Sequence, residues 1–156
     1  VAAAGRSLVL AGRQQELTIT VPGARNLGAG TVGSTIGGQL GPVTVEDHRP
    51  ANPITWVVRV SSTSYTTGAG GPAETIANAR VFYWSGPATR SIGGGTLVPG
   101  QPTAAQAQSL GVTRVAFAKT GGNGANMVTW NPRVSVVIPT GVVSGLYAGR
   151  ITHSVA

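Results

Sequence analysis

Residues 127–156 read MVTWNPRVSVVIPTGVVSGLYAGRITHSVA. Two apolar alternating runs, Met127 to Ile138 and Leu146 to Val155, flank a short Pro-Thr-Gly connection. Successive strand residues point to opposite faces, so period-two alternation marks a strand with one face on a core. A strand, a corner and a closing strand opening on Tyr147 suit the end of a secreted β-sandwich domain. Trp130, just before Asn131-Pro132, is expected to cover one end of the core, and Tyr147 to be a second corner residue.

The same alternation extends through the rest of the chain. Leu17, Ile19 and Val21 alternate with Thr18 and Thr20, and Pro22-Gly23 closes the run. Gln39 to Val45 reads as a strand with Pro42 marking an edge or bulge. Ile54, Trp56, Val58 and Val60 share a face, which places Trp56 in the core. Ile76 to Trp84 is another run, ending at Ser85-Gly86-Pro87, and Val115, Phe117 and Lys119 continue the pattern. Gly68 to Pro72 and Gly93 to Gly100 read as loops. Thr103 to Leu110 is the sole helical candidate, at most two turns, and a loop reading serves equally. About eight to ten strands separated by Gly, Pro and Ser turns predict an all-β, two-sheet immunoglobulin-like sandwich. The expected division is an N-terminal arm over 1–12, able to act as a donor or edge strand, and a single sandwich domain over 13–156. Within the arm, Ser7, Leu8, Val9 and Leu10 form the patterned stretch and are the candidate subunit contact.

Composition narrows the class. A chain of 156 residues buries roughly 70% of its unfolded surface and holds a core without staples. Cysteine is absent, which excludes disulfides and thiolate metal sites. Charged residues make up 10% of the chain, well below the usual quarter, and 24 glycines accompany many Thr and Val residues. That balance suits an extracellular all-β domain. The net charge of +7 comes from ten Arg and one Lys against four acids, but the basic residues are dispersed and form no run. Nucleic acid is therefore not an expected partner, although the basic bias suits attraction to anionic cell-wall polymers. No apolar run reaches the length of a membrane span. The small residues from Val1 to Gly5 suit the position just after signal-peptide removal, so a secreted, extracellular or wall-associated location is expected.

Little of the chain can carry chemistry. Glu46-Asp47-His48-Arg49 is the one polar cluster; consecutive residues on a strand point to opposite faces, so only alternate members could converge, and it reads as a solvated turn. His153 lies among strand residues without a G-x-S-x-G elbow. Gly93 to Gly95 lacks the Gly-Lys-Ser/Thr context of a phosphate loop. No catalytic residue, metal site or cofactor is expected, and the chain reads as non-enzymatic. Phe82-Tyr83-Trp84 stands out, because consecutive aromatics on a strand cannot all face the core. Phe82, Tyr83 and Trp84 are thus the candidate exposed aromatic surface, for a sugar or another subunit.

Four stretches together carry a resemblance: Pro53 to Ser62 (PITWVVRVSS), Phe82 to Thr89 (FYWSGPAT), Thr129 to Pro132 (TWNP) and Ala148 to Val155 (AGRITHSV). In order and spacing they resemble actinobacterial secreted β-sandwich proteins related to the WxL surface-protein family, over roughly Leu17 to Ala156. The resemblance implies a secreted sandwich at the cell surface. It also implies peptidoglycan binding through two Trp-x-Leu motifs, for which Trp56-Val57-Val58 and Trp130-Asn131-Pro132 are the candidates, with Val58 and Pro132 in the Leu positions. The expected function is a structural homo-oligomer or polymer, a filament or layer joined by N-terminal strand pairing. The alternative is a WxL-like module that binds cell-wall glycan.

Overall fold

The computed structural model describes residues 16–50 and 54–156. Its strands, in chain order, are β1 (Leu17–Thr20), β2 (Thr35–Gln39), β3 (Val43–Asp47), β4 (Trp56–Ser62), β5 (Tyr65–Thr66), β6 (Thr75–Ile76) and β7 (Val81–Trp84). They continue with β8 (Ala88–Ile92), β9 (Leu97–Pro99), β10 (Gln108–Ser109), β11 (Arg114–Lys119), β12 (Asn126–Trp130), β13 (Arg133–Val137) and β14 (Ile151–Val155). The all-β expectation holds. Among the described residues the helical elements are three short 3-10 turns, at Pro72–Glu74, Asn78–Arg80 and Ala104–Gln106. The arm over 1–12, with Ser7 to Leu10, lies outside the described residues.

Every strand pairing is antiparallel. The first sheet runs β1-β3-β12-β8, the second β10-β7-β13-β2 and the third β14-β4-β11-β9, with β5-β6 as a separate pair. The sheets interlink through shared corners. β2 pairs with β13 while β3 pairs with β12, and the Leu40 N–H donates to the Pro132 carbonyl at 2.9 Å where both chains turn. The result is sandwich-like, with fourteen strands among the described residues where about eight to ten were expected from turn spacing. Proline accounts for two of the extra breaks: Pro42 and Pro132 lack an N–H for the ladder, so each long alternating run divides into two strands in different sheets.

Three further readings change. Gly93 to Gly100 is not all loop, since Leu97–Pro99 pairs with β11 as an edge strand. Thr103 to Leu110 forms a 3-10 turn held by Gln106 Oε1 accepting from the Thr103 N–H, followed by β10. The closing strand begins at Ile151, not Leu146, which is 86% exposed. The preceding segment is held by reciprocal backbone bonds between Thr66 and Ala148 and by the Tyr147 hydroxyl, which donates to the Val143 carbonyl at 2.8 Å.

The core lies between the inward faces of β3, β4, β7, β11, β12 and β13. Val43, Val45, Trp56, Val58, Val60, Val81, Tyr83, Phe117, Val128, Trp130 and Val134 are all essentially inaccessible. Phe117 stacks on Trp130 at 4.7 Å between ring centroids and lies 6.5 Å from Trp56. Offset aromatic stacks of this kind add to the area they bury. A register shift between Val115 and Phe117 sets which residues of β11 face the core. It turns Ala116 and Phe117 both inward and leaves Val115 exposed, as a β-bulge does. Alternation then resumes and carries Lys119 into the core.

Candidate functional site

Among the described residues the chain's sole lysine is the most deeply buried cation. Lys119 is 1% exposed at the end of β11. Its Nζ donates to the Ile54 carbonyl at 2.9 Å and to the Asn123 carbonyl at 2.9 Å. Two glycine-rich loops close over it: a Cβ at Gly95 would meet Lys119 Cε at 2.8 Å, and one at Gly122 would meet the Gly95 backbone. Gly95 also holds a φ of +118°, which side-chain-bearing residues rarely adopt. Gly95 and Gly122 thus permit two backbones to pack directly over the Lys119 amine.

Opposite Lys119 lie two residues of the first sheet. Asp47 on β3 and Asn126 on β12 are direct register partners, 0% and 5% exposed. Trp56 and Lys119 are register partners on the third sheet. The Trp56 indole N–H donates to Asn126 Oδ1 at 3.2 Å, and Asn126 Nδ2 donates to the Asn123 carbonyl at 3.3 Å. Ala125, at a φ of +54°, makes the tight entry into β12 that sets Asn126 in place.

Arg49 completes the cluster. Its Nε and Nη2 donate to the two oxygens of Asp47, each at 2.9 Å, its backbone N–H donates to Asp47 Oδ1 at 3.0 Å, and Nη2 also reaches the Thr55 carbonyl. Glu46-Asp47-His48-Arg49 is therefore not simply a solvated turn. Strand alternation points Asp47 into the core, and the chain turns so that Arg49 folds back on it. Glu46 and His48 remain outside, 3.5 Å apart, and line an open depression of about 270 Å³ with Ile92, Ala125, Asn126 and Met127.

The charges respond accordingly. Burial alone would raise the Asp47 pKa, but the Arg49 hydrogen bonds, with the Arg49 and Lys119 charges, outweigh it and hold the pKa below the usual value. Burial lowers the Lys119 pKa, with Asp47 opposing that shift and Arg49 adding to it. The group is a buried array of an amine, a carboxamide and a carboxylate.

A second polar chain crosses the core. The Trp130 indole N–H donates to the Tyr83 hydroxyl at 3.3 Å, and that hydroxyl meets His153 Nε2 at 3.0 Å. Burial raises the Tyr83 pKa and brings that of His153 down to about 4. His153 is therefore neutral at pH 7, and its Nε2 can accept the tyrosine proton.

The aromatic candidates separate. Tyr83 is 0% exposed, so it is not part of an exposed aromatic surface: β7 alternates, and Tyr83 is its inward member. Phe82 and Trp84 lie on the outer face, half-buried, opposite Ser135 and Arg133 of β13. Trp56 and Trp130 are 1% and 0% exposed, so neither presents a ring at the surface. Tyr147 is half-buried against the core edge. Lys119 and Asn126 do not stand out as functional residues in the sequence, whereas Arg49 belongs to the polar cluster read as a solvated turn. The one available signal is a lone lysine ending the apolar strand sequence Val115-Ala116-Phe117-Ala118.

Among the described residues no group of three His, Asp or Glu side chains is placed to hold a metal ion. Among those residues, too, no helix is long and apolar enough to cross a membrane. No protein-family model matches this chain, and no curated protein matches it.

Proposed function

We propose that this chain is a non-catalytic, secreted structural protein of the cell surface that self-associates into a filament or layer by strand addition. In this reading the domain is a two-layer immunoglobulin-like sandwich. The first and second sheets act as one layer bent at the corners between β2 and β3 and between β12 and β13, and the third sheet is the other layer.

The observation that carries the reading is the outer edge of β2. This strand pairs only with β13 among the described residues, and its sequence, Thr-Ile-Gly-Gly-Gln, holds no charge and no proline. Soluble proteins usually protect such an edge with lysine, proline or a covering element, because unpaired N–H and C=O groups recruit another strand. Strand addition from a neighbour would satisfy those groups. The apolar stretch Ser7 to Leu10 is the proposed donor. Low charge, abundant Thr and Gly, and the resemblance to WxL-related surface proteins favour the extracellular setting.

Sedimentation of the full chain beside a chain lacking residues 1–12 tests the proposal. The full chain is expected to form polymers and the truncated chain to remain monomeric. A monomeric full chain, or polymers that persist unchanged in the truncated one, would overturn it.

A second reading has its own observation. Phe82 and Trp84 share an outer face with Arg133, a combination suited to stacking on a sugar ring. A WxL-like wall-binding role would then rest on this face and not on Trp56 or Trp130. Co-sedimentation with purified cell walls, lost in Trp84→Ala, is the expected signature.

A further inference from the structure

Lys119, Asn126 and Asp47 lie together, almost wholly out of solvent, where strands of two facing sheets meet. Lys119 Nζ and Asn126 Nδ2 donate to one and the same oxygen, the Asn123 carbonyl, at 2.9 and 3.3 Å. A primary amine and a carboxamide are thus held against one point, with side chains long enough to meet. We propose that they react, and that the mature protein carries an amide bond between Lys119 Nζ and Asn126 Cγ.

An amine does not ordinarily attack a carboxamide in water, for three reasons: it is protonated, the carbonyl is weakly electrophilic, and the partners meet rarely. The cluster addresses each. Burial lowers the pKa of Lys119 toward the reactive neutral amine. The Trp56 N–H sits on Asn126 Oδ1, the atom that becomes negative when the carbon is attacked. Holding both groups on one carbonyl replaces a chance encounter by an intramolecular one. Asp47, the register partner of Asn126, supplies a carboxylate beside the pair.

The step balances without a co-reactant. The Nζ lone pair attacks Cγ and a carbon–nitrogen bond forms, with the oxyanion held by Trp56. Asp47 takes a proton from Nζ and delivers it to Nδ2. The Cγ–Nδ2 bond then breaks and ammonia leaves. No atom is oxidised or reduced, and ammonia is lost to solvent, which makes the step irreversible. The product ties β11 of the third sheet to β12 of the first. The inference is independent of the proposed assembly.

Intact-mass measurement of the unfolded full chain tests it. The expected mass is one ammonia below that of the sequence, with the full sequence mass restored in Asn126→Ala and in Lys119→Arg. Tryptic digestion is expected to leave the bond after Lys119 uncut, giving a peptide over 115–133 without fragment ions between residues 119 and 126. The full sequence mass in the natural chain would overturn the proposal, whatever the variants do. So would loss of ammonia with normal cleavage after Lys119, which is the outcome for a cyclic imide at Asn123-Gly124. Loss of water with Lys119 joined to Asp47 would overturn the assignment of the partner.

Discussion

The hydroxyl of Tyr83, on the second sheet, and Nε2 of His153, on the third, meet at 3.0 Å, with their ring centroids 5.5 Å apart. The contact joins facing strands through a histidine that is neutral in the folded protein. Burial brings its pKa from 6.5 to about 4. The unfolded chain therefore binds the proton more readily than the folded one. Stability from this group is complete above pH 6.5 and is lost as pH falls from there toward 4. The loss amounts to at most roughly 3 kcal/mol. Denaturant midpoints measured from pH 7.5 to 4 should fall in the natural chain and stay flatter in His153→Gln. An equal fall in both would assign the effect elsewhere.

Arg49 and Asp47 form a two-pronged ion pair in which the Asp47 side chain is 0% exposed and that of Arg49 31%. Removing Arg49 leaves a carboxylate buried without its partner. Arg49→Ala should cost about 3 kcal/mol in chemical denaturation at pH 7. A loss below about 1 kcal/mol would place the pair among ordinary exposed ones.

Adjacent glycines should differ sharply. Gly94 has open space where a Cβ would sit, whereas Gly95 has Lys119 there and a φ of +118°. Gly95→Ala is expected to lose roughly 2–4 kcal/mol, combining left-handed strain with overpacking. Gly94→Ala should stay within about 0.5 kcal/mol of the natural chain. Comparable thermal midpoints for the two variants would show that the loops do not need this close approach.

Charge on the open edge should suppress assembly. Thr35 and Gln39 are exposed on β2. Thr35→Lys with Gln39→Lys introduces the protection that natural edges use. The double variant should fold with an unchanged circular dichroism spectrum and sediment as a monomer. Polymers equal to those of the natural chain would direct attention to another edge.

Much of the architecture was legible because strand burial has a period of two. Leu17 to Thr20, Trp56 to Val60 and Met127 to Val137 could be read directly as half-buried strands. Leu97–Pro99 could not, since the four residues between Gly95 and Gly100 carry too short a pattern, and pairing with β11 decides their state. The polar cluster was legible only in part. Asp47 and Arg49 are near neighbours in sequence, yet burial of the carboxylate depends on which face of β3 meets the core. Alternation placed Lys119 on the face of Phe117, but its burial as a cation rests on the Ile54 and Asn123 carbonyls that tertiary packing brings to it.

The amino-acid sequence by itself determined the all-β class, the absence of disulfides and the places where proline and glycine interrupt the strands. These follow from local properties: alternation, a missing N–H, the freedom of a residue without a Cβ. Only the tertiary structure decided that Asp47, Trp56, Lys119 and Asn126 converge and that Tyr83 faces His153. Convergence depends on register between strands that can be as much as 79 positions apart, as the partners Asp47 and Asn126 are, and on the single bulge in β11. Shifting a strand by one residue exchanges its inner and outer faces, and no local signal records which register the packed core will select.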